Sequence, residues 1–217
     1  MEYGNQTIPA SRQVRVKSRT PHILFALYLV LFTALAVKPY SRAVWWAENL
    51  PIVLIVAGLA LTFTKHRFSN TAYLMMSCLI YLHTIGGHFT FERVPFGLVT
   101  DLFGFERNHY DRIAHFSVGF YAYPVAELLL TKRWVSSRLV LFLFPVFTIF
   151  AVAAIYEIIE WLYAVLSDPE AGSAFLGSQG DIWDAQKDML ADGLGSLLAV
   201  ALFWRLRRRE MAALAGG

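Results

Sequence analysis

Asp184, Asp188 and Asp192 follow one another at four-residue steps, with Asp181 three residues ahead of them. On a helix that spacing places them on one slowly drifting stripe, and at about 1.5 Å per residue the stripe climbs about 12 Å from Asp184 to Asp192. Glu157 and Glu160 are three apart, Asp111 and His115 four apart, so each pair shares a helix face. His83 and His88 flank Gly86-Gly87. Hard oxygen donors joined by one or two imidazoles suit Mg²⁺, Mn²⁺ or Ca²⁺, and Zn²⁺ where His115 binds together with His83 or His88. The candidate ligand set is Asp184, Asp188, Asp192, Glu157 and His115. In a hydrolytic centre His115 would bind the cation or act as acid/base, Asp111 would orient it through its other ring nitrogen, and Glu160 is the third catalytic candidate. No His-Glu-x-x-His, zinc-ribbon or phosphate-loop pattern occurs, and no Gly-x-Ser-x-Gly.

The elements that must carry these residues are membrane spans. The chain is 57% hydrophobic and 16% charged, where a soluble domain carries about 25% charged residues. Its net charge of +3 gives no reason to expect a nucleic-acid partner, and Cys78, the single cysteine, offers no disulfide. Six apolar stretches, near 22–37, 49–64, 71–90, 113–131, 139–165 and 184–204, approach the roughly 20 residues a bilayer requires. The fold class expected is therefore an all-α polytopic membrane bundle of about six helices. Pro51 suits the first turn of the second helix, Pro124 and Pro145 predict kinks in the fourth and fifth, and Asn108 is placed to cap the fourth. A short interfacial helix or re-entrant turn is expected between Arg93 and His109, and the Gly-, Ser- and Asp-rich stretch from Ser167 to Gly180 reads as a loop.

Basic residues cluster in the N-terminal segment (Arg12, Arg15, Lys17, Arg19), the second loop (Lys65, Arg67), the fourth loop (Lys132, Arg133, Arg138) and the tail (Arg205, Arg207, Arg208, Arg209). The positive-inside rule then puts both termini in the cytoplasm. This divides the chain into a cytoplasmic segment 1–21, a six-helix domain 22–204 with outer loops near 91–111 and 166–183, and a cytoplasmic tail 205–217. A basic start, an apolar run and Ala34-Leu35-Ala36 also fit a cleavable signal, which would remove the first helix and leave the other spans in place. Of sixteen acidic residues only Glu2, Glu127 and Glu210 fall in the cytoplasmic half.

An ionised Asp at the centre of an inserted helix costs about 2.5 to 3.5 kcal/mol. A stripe of them persists only with a bound cation, raised proton affinity, pairing with Arg107, Arg112 or Lys187, or a water-filled cavity. Blander readings stand beside each residue. Asp181 and Asp184 fit solvated residues at a helix N-terminus, Glu160 beside Trp161 fits an interfacial position, and Trp45, Trp46 and Trp183 fit the aromatic belt. His83 and His88 individually fit hydrogen-bonded bundle residues. Asp188, Asp192 and Glu157 lie too deep for solvent to explain them.

Three segments carry a family resemblance: Glu106-Arg107-Asn108-His109-Tyr110-Asp111-Arg112 with His115-Phe116 and Gly119; Tyr156-Glu157-x-x-Glu160-Trp161; and Gln179-Gly180-Asp181-x-Trp183-Asp184-x-Gln186-x-Asp188-Met189. Over about residues 20 to 205 the chain resembles the YjdF-like family of bacterial inner-membrane proteins. The resemblance implies a multi-span inner-membrane protein with the same three polar motifs, and it implies no particular activity. The residues themselves leave three functions open: a cation-supported site for a lipid headgroup or other envelope substrate, a cation or proton pathway, and a structural or accessory membrane protein whose carboxylates are neutralised by arginine.

Overall fold

The computed structural model describes residues 18–167 and 169–213. The expected basic segment before Ser18 and the last four residues of the tail lie outside the described residues. The described chain is all helix and turn, in the order α1 (Thr20–Leu35), α2 (Arg42–Thr62), α3 (Asn70–Phe89), α4 (Gly97–Phe103), α5 (Tyr110–Val118), α6 (Ala122–Lys132), α7 (Arg138–Leu166), α8 (Pro169–Leu176), α9 (Asp184–Leu206) and α10 (Arg208–Ala213), with short 3₁₀ turns at Phe91–Arg93 and Gly119–Tyr121.

Apolar and polar residues are distributed opposite to a soluble protein. Leu54, Leu61, Phe147, Val165 and Leu166 face outward, while Glu48, Asn49, Asp188, Asp192 and Ser196 are buried. A bilayer rewards this arrangement, because lipid solvates the apolar rim and no water is present to solvate the interior. Four segments are long and apolar enough to cross a membrane on their own, namely α2, α7, α9 and the stretch Tyr110–Thr131 formed by α5 and α6. The apolar α1, 16 residues long, packs against α3, and the 20-residue α3 packs against α1, α2 and α5. The molecule is a polytopic helical membrane bundle.

Three local expectations need correction, those for Pro51, for the stretch 167–180 and for Trp45. Helix α2 begins at Arg42, where the Ser41 hydroxyl accepts from Val44 N–H, so Pro51 lies inside the helix and not in its first turn. The fourth span breaks at Gly119–Tyr121, just ahead of Pro124. Proline lacks an N–H and crowds the carbonyl four residues back, here that of Phe120, so the turn before it tightens. Helix α7 has no such break: it runs from Arg138 to Leu166 with Pro145 inside it. Between Ser167 and Gly180 the expected loop contains α8, which packs on α7 so closely that a Cβ on Gly172 would sit 2.7 Å from the Ala164 carbonyl oxygen. Trp45 is 2% exposed and belongs to the interior, while Trp46 and Trp183 are exposed, as a belt requires.

Asn108 does bond to the start of α5, its Oδ1 accepting from Tyr110 N–H at 2.9 Å, but His109 occupies the N-cap position. The Asn108 amide also donates to the carbonyls of Glu92 and Val94, tying the interfacial turn to the bundle. That turn, with α4, is the short helix expected between Arg93 and His109. The buried apolar core lies at the end of the bundle that holds the basic clusters, among Tyr73, Met76, Tyr123, Leu141, Val200 and Phe203. The other end is polar.

Candidate functional site

Glycine sets the frame of the polar end. A Cβ on Gly195 would overlap the Phe116 carbonyl, and one on Gly119 would overlap the backbone of Asp192, Gly195 and Ser196. The two backbones touch there. Helices α5 and α9 therefore cross with no side chain between them, and the turns leading away carry Asp111, Arg112 and His115 on α5 toward Asp184, Asp188 and Asp192 on α9.

The polar residues form two layers. In the layer nearer the loops, Arg107 Nη1 donates to Asp184 Oδ1 at 2.8 Å and lies 3.4 Å from Asp181 Oδ2. Arg112 donates to both Asp184 and Asp188, and Lys187 Nζ lies 2.6 Å from Asp181 Oδ2. Three cations meet three carboxylates, so this layer is balanced. The bond from Lys187, aided by Trp183 N–H, holds the Asp181 carboxyl below the usual carboxylate range. Partial desolvation, and the positive charges of Arg107, Arg112 and Lys187, push nearby His109 down from the ordinary histidine value.

The deeper layer has His115 at its centre. His115 Nδ1 lies 3.3 Å from Asp192 Oδ2, while Nε2 is 3.6 Å from Asp111 Oδ1 and 3.8 Å from Asp188 Oδ1. The contact that can orient the ring is thus the one to Asp192, and the Nε2 face is shared with Asp111 and Asp188. Asp111, His115 and Asp188 each offer a ligand atom within 4.8 Å of the others. Asp192 is fully buried, and its Oδ1 has no hydrogen-bond partner among the described residues; the same holds for Glu157 Oε1. Glu157 and Glu160 stand on α7 within electrostatic range of His115 and Asp111. Of the residues singled out from the sequence, Asp111, His115, Glu157, Glu160, Asp188 and Asp192 converge. Asp184 is engaged by Arg107 and Arg112, Asp181 by Lys187, and His88 donates from Nδ1 to the Leu35 carbonyl at 2.7 Å, where it fixes α1.

A cavity of ≈ 150 Å³ adjoins the deeper layer, with Asp111, His115, Glu160 and Asp192 in its wall. Its wall also holds a group that sequence reasoning did not assemble. Glu48 of α2 accepts from Tyr156 OH at 3.1 Å and lies 3.0 Å from His83 Nε2, with Tyr156 OH 3.5 Å from the same nitrogen. Glu48 is 1% exposed. The signal that could have found it is an isolated acid inside Trp45-Trp46-Ala47-Glu48-Asn49, a turn apolar enough to extend the second span backward. Gly87 makes room for it, since a Cβ there would come 2.9 Å from Glu48 Cβ. Among the described residues no lysine or arginine comes within ion-pair distance of Asp111, Asp192, Glu157, Glu160 or Glu48.

Fold and site together define a multi-pass helical membrane protein with a buried acidic and histidine-bearing cavity in one half of its thickness. Residues 20–209 match the family described as "Predicted membrane protein (DUF2238)", and the chain belongs to that family. It is also 33% identical over 181 residues, 81% of this chain and 84% of the relative, to the protein named "Inner membrane protein YjdF" from Escherichia coli strain K12. The chain is accordingly a multi-pass inner-membrane protein. No solved structure matches it.

Proposed function

We propose that the deeper layer is a divalent-cation centre serving a reaction on a lipid headgroup or other envelope substrate, in the half of the bundle that faces away from the cytoplasm. The basic clusters at the opposite end support that orientation. The observation that carries the reading is the group Asp111, His115 and Asp188 beside a cavity, with a fully buried Asp192 oxygen left unpartnered. Burying Asp192 with one oxygen short of a partner costs about 1 to 3 kcal/mol or more, and a cation held at the Nε2 side of His115 offsets the negative charge of this layer without touching Asp192.

In this reading His115 Nε2, Asp111 and Asp188 hold the cation, Asp192 fixes the imidazole through Nδ1, and Glu157 supplies a further oxygen. Separations of 3.6 and 3.8 Å from Nε2 to the two carboxylates span a cation with ligands at about 2.0 to 2.3 Å. Such a cation would polarise a phosphoryl or acyl oxygen and activate water, and Glu160 is the acid/base group on the cavity wall. Asp184 serves the structure through Arg107 and Arg112. The donor set of carboxylates with one imidazole fits Mg²⁺, Mn²⁺, Ca²⁺ or Zn²⁺.

A transport pathway would need acids continuing toward the other face. Glu127, the buried acid there, accepts from Ser69 N–H and Oγ and pairs with Arg207, which favours a closed site over a conduit. Elemental analysis of protein purified in mild detergent tests the reading. The expected result is a near-stoichiometric divalent metal in the wild type that is lost in His115→Ala and Asp111→Asn. No bound metal, with no thermal stabilisation by added Mg²⁺, Mn²⁺, Ca²⁺ or Zn²⁺, overturns it.

A further inference from the structure

The cavity is graded from polar to apolar along the membrane normal on four of the helices in its wall, while α9 contributes Asp192 alone. On α2 Glu48 is followed one and two turns deeper by Ile52 and Ile55; on α3 Leu79 lies one turn below His83; on α5 Val118 lies below His115; on α7 Val152 lies below Tyr156. The polar ring is at the loop end and the apolar floor points toward the bilayer middle.

The closure of the cavity is uneven. Its roof is the end of α8, with Phe175, Leu176 and Gly177 over the polar ring. One wall is the glycine-locked pair α5 and α9. The other side lies between α2 and α7. Helix α2 packs on α3 and α8, and α7 packs on α6, α8 and α9, so α8 bridges the two above the cavity. The hydrogen bond from Tyr156 to Glu48 joins them at the level of the ring. Below that bond Val152 lines the cavity and is also 49% exposed, one turn from Ile155, which is 59% exposed and does not line the cavity.

We infer that the substrate is an acyl-chain-bearing lipid that enters sideways from the bilayer between α2 and α7, with its chain against Ile52, Ile55 and Val152 and its headgroup at the acidic ring. The inference deepens the proposed function and rests on it for the polar end. A water-soluble substrate would need an open roof and would gain nothing from an apolar floor facing lipid. A lipid uses both, since its chain remains in hydrocarbon while only its head meets polar groups.

The test uses the full chain in vesicles of phosphatidylethanolamine and phosphatidylglycerol, doped with phosphatidylglycerol that carries a diazirine on its acyl chain, with cross-links mapped by mass spectrometry. Annular lipid labels outward residues such as Leu54 and Leu162. A chain inside the cavity also labels Ile52, Leu79 and Ala153, which are 2%, 6% and 3% exposed. Label on those three, lost in Val152→Trp and in Ile55→Trp while Leu162 remains labelled, is the expected result. Label confined to outward residues, or unchanged by both plugs, overturns the inference. Metal content measured on the same preparations separates the two ideas. Metal retained with interior label absent removes lateral entry alone, and interior label without metal in any preparation removes the cation centre alone.

Discussion

Glu127 and Asp192 are both buried carboxylates, 4% and 0% exposed, at opposite ends of one bundle, and their surroundings differ in kind. Glu127 accepts from Ser69 N–H at 2.6 Å and Ser69 Oγ at 2.5 Å and pairs with Arg207 at 3.3 Å. Both of its oxygens are accounted for. Asp192 has one contact, to His115, and an oxygen with none. A carboxylate that joins helices is saturated by the protein; one beside the proposed site is left short. Depth alone does not distinguish a site from a staple, and counting partners does.

The comparison can be broken at its frame or sharpened at its members. The largest effect is expected from Gly195→Val, because the new side chain meets the α5 backbone, which cannot rotate away as a flexible side chain could. Loss of a monodisperse folded species in size-exclusion chromatography is the expected outcome, and both ends should fail together. Next is Glu127→Ala, which strands Ser69 N–H and one bond of Arg207. We expect about 2 to 3 kcal/mol of destabilisation, below a fully buried pair because Arg207 is partly exposed and keeps Glu210. Thermal unfolding in detergent should show this with bound metal unchanged.

Arg112→Met should cost about 1 to 3 kcal/mol by removing the partner that Asp188 and Asp184 share. Added divalent cation should restore part of that loss, because a cation bound at Asp188 replaces the positive charge that Arg112 supplied; no recovery would place Asp188 with Glu127 among the staples. Asp192→Asn should leave thermal stability within about 1 kcal/mol of wild type or raise it, since a neutral amide relieves an unpaired charge. Its metal content should fall. A large loss of stability with metal retained would reverse the contrast between the two carboxylates.

Asp181→Asn should have the smallest effect. Because the Lys187 bond lowers the folded-state pKa of Asp181, its contribution is present above the unfolded value of about 3.9 and is lost as pH falls through the depressed folded value. Thermal midpoints of wild type and variant should therefore separate above about pH 4 and converge below it.

The sequence made the spans and half of the site legible. Long apolar runs locate α2, α7 and α9, and i, i+4 spacing puts Asp111 with His115 and Asp188 with Asp192 on shared faces, because helical periodicity is a local property. What was not legible depends on which helices become neighbours. Asp184 and Asp188 sit on the same stripe, yet the first is paired by two arginines and the second by one, a difference set by where Arg107 and Arg112 reach from another element. Glu48 and His83 lie 35 positions apart, and only the packing of α2 on α3, with Gly87 under Glu48, brings them together. Helix α8 escaped notice because its Pro-, Gly- and Ser-containing sequence has weak intrinsic helicity; packing on α7 supplies what propensity lacks.

The backbone contact between Gly119 and Gly195 has a mechanical consequence. With no side chains to act as bearings, α5 and α9 have no slack through which to slide or tilt, so their face of the chamber is its stationary jaw. Whatever breathing the chamber undergoes falls to α2, α7 and the short helix above them.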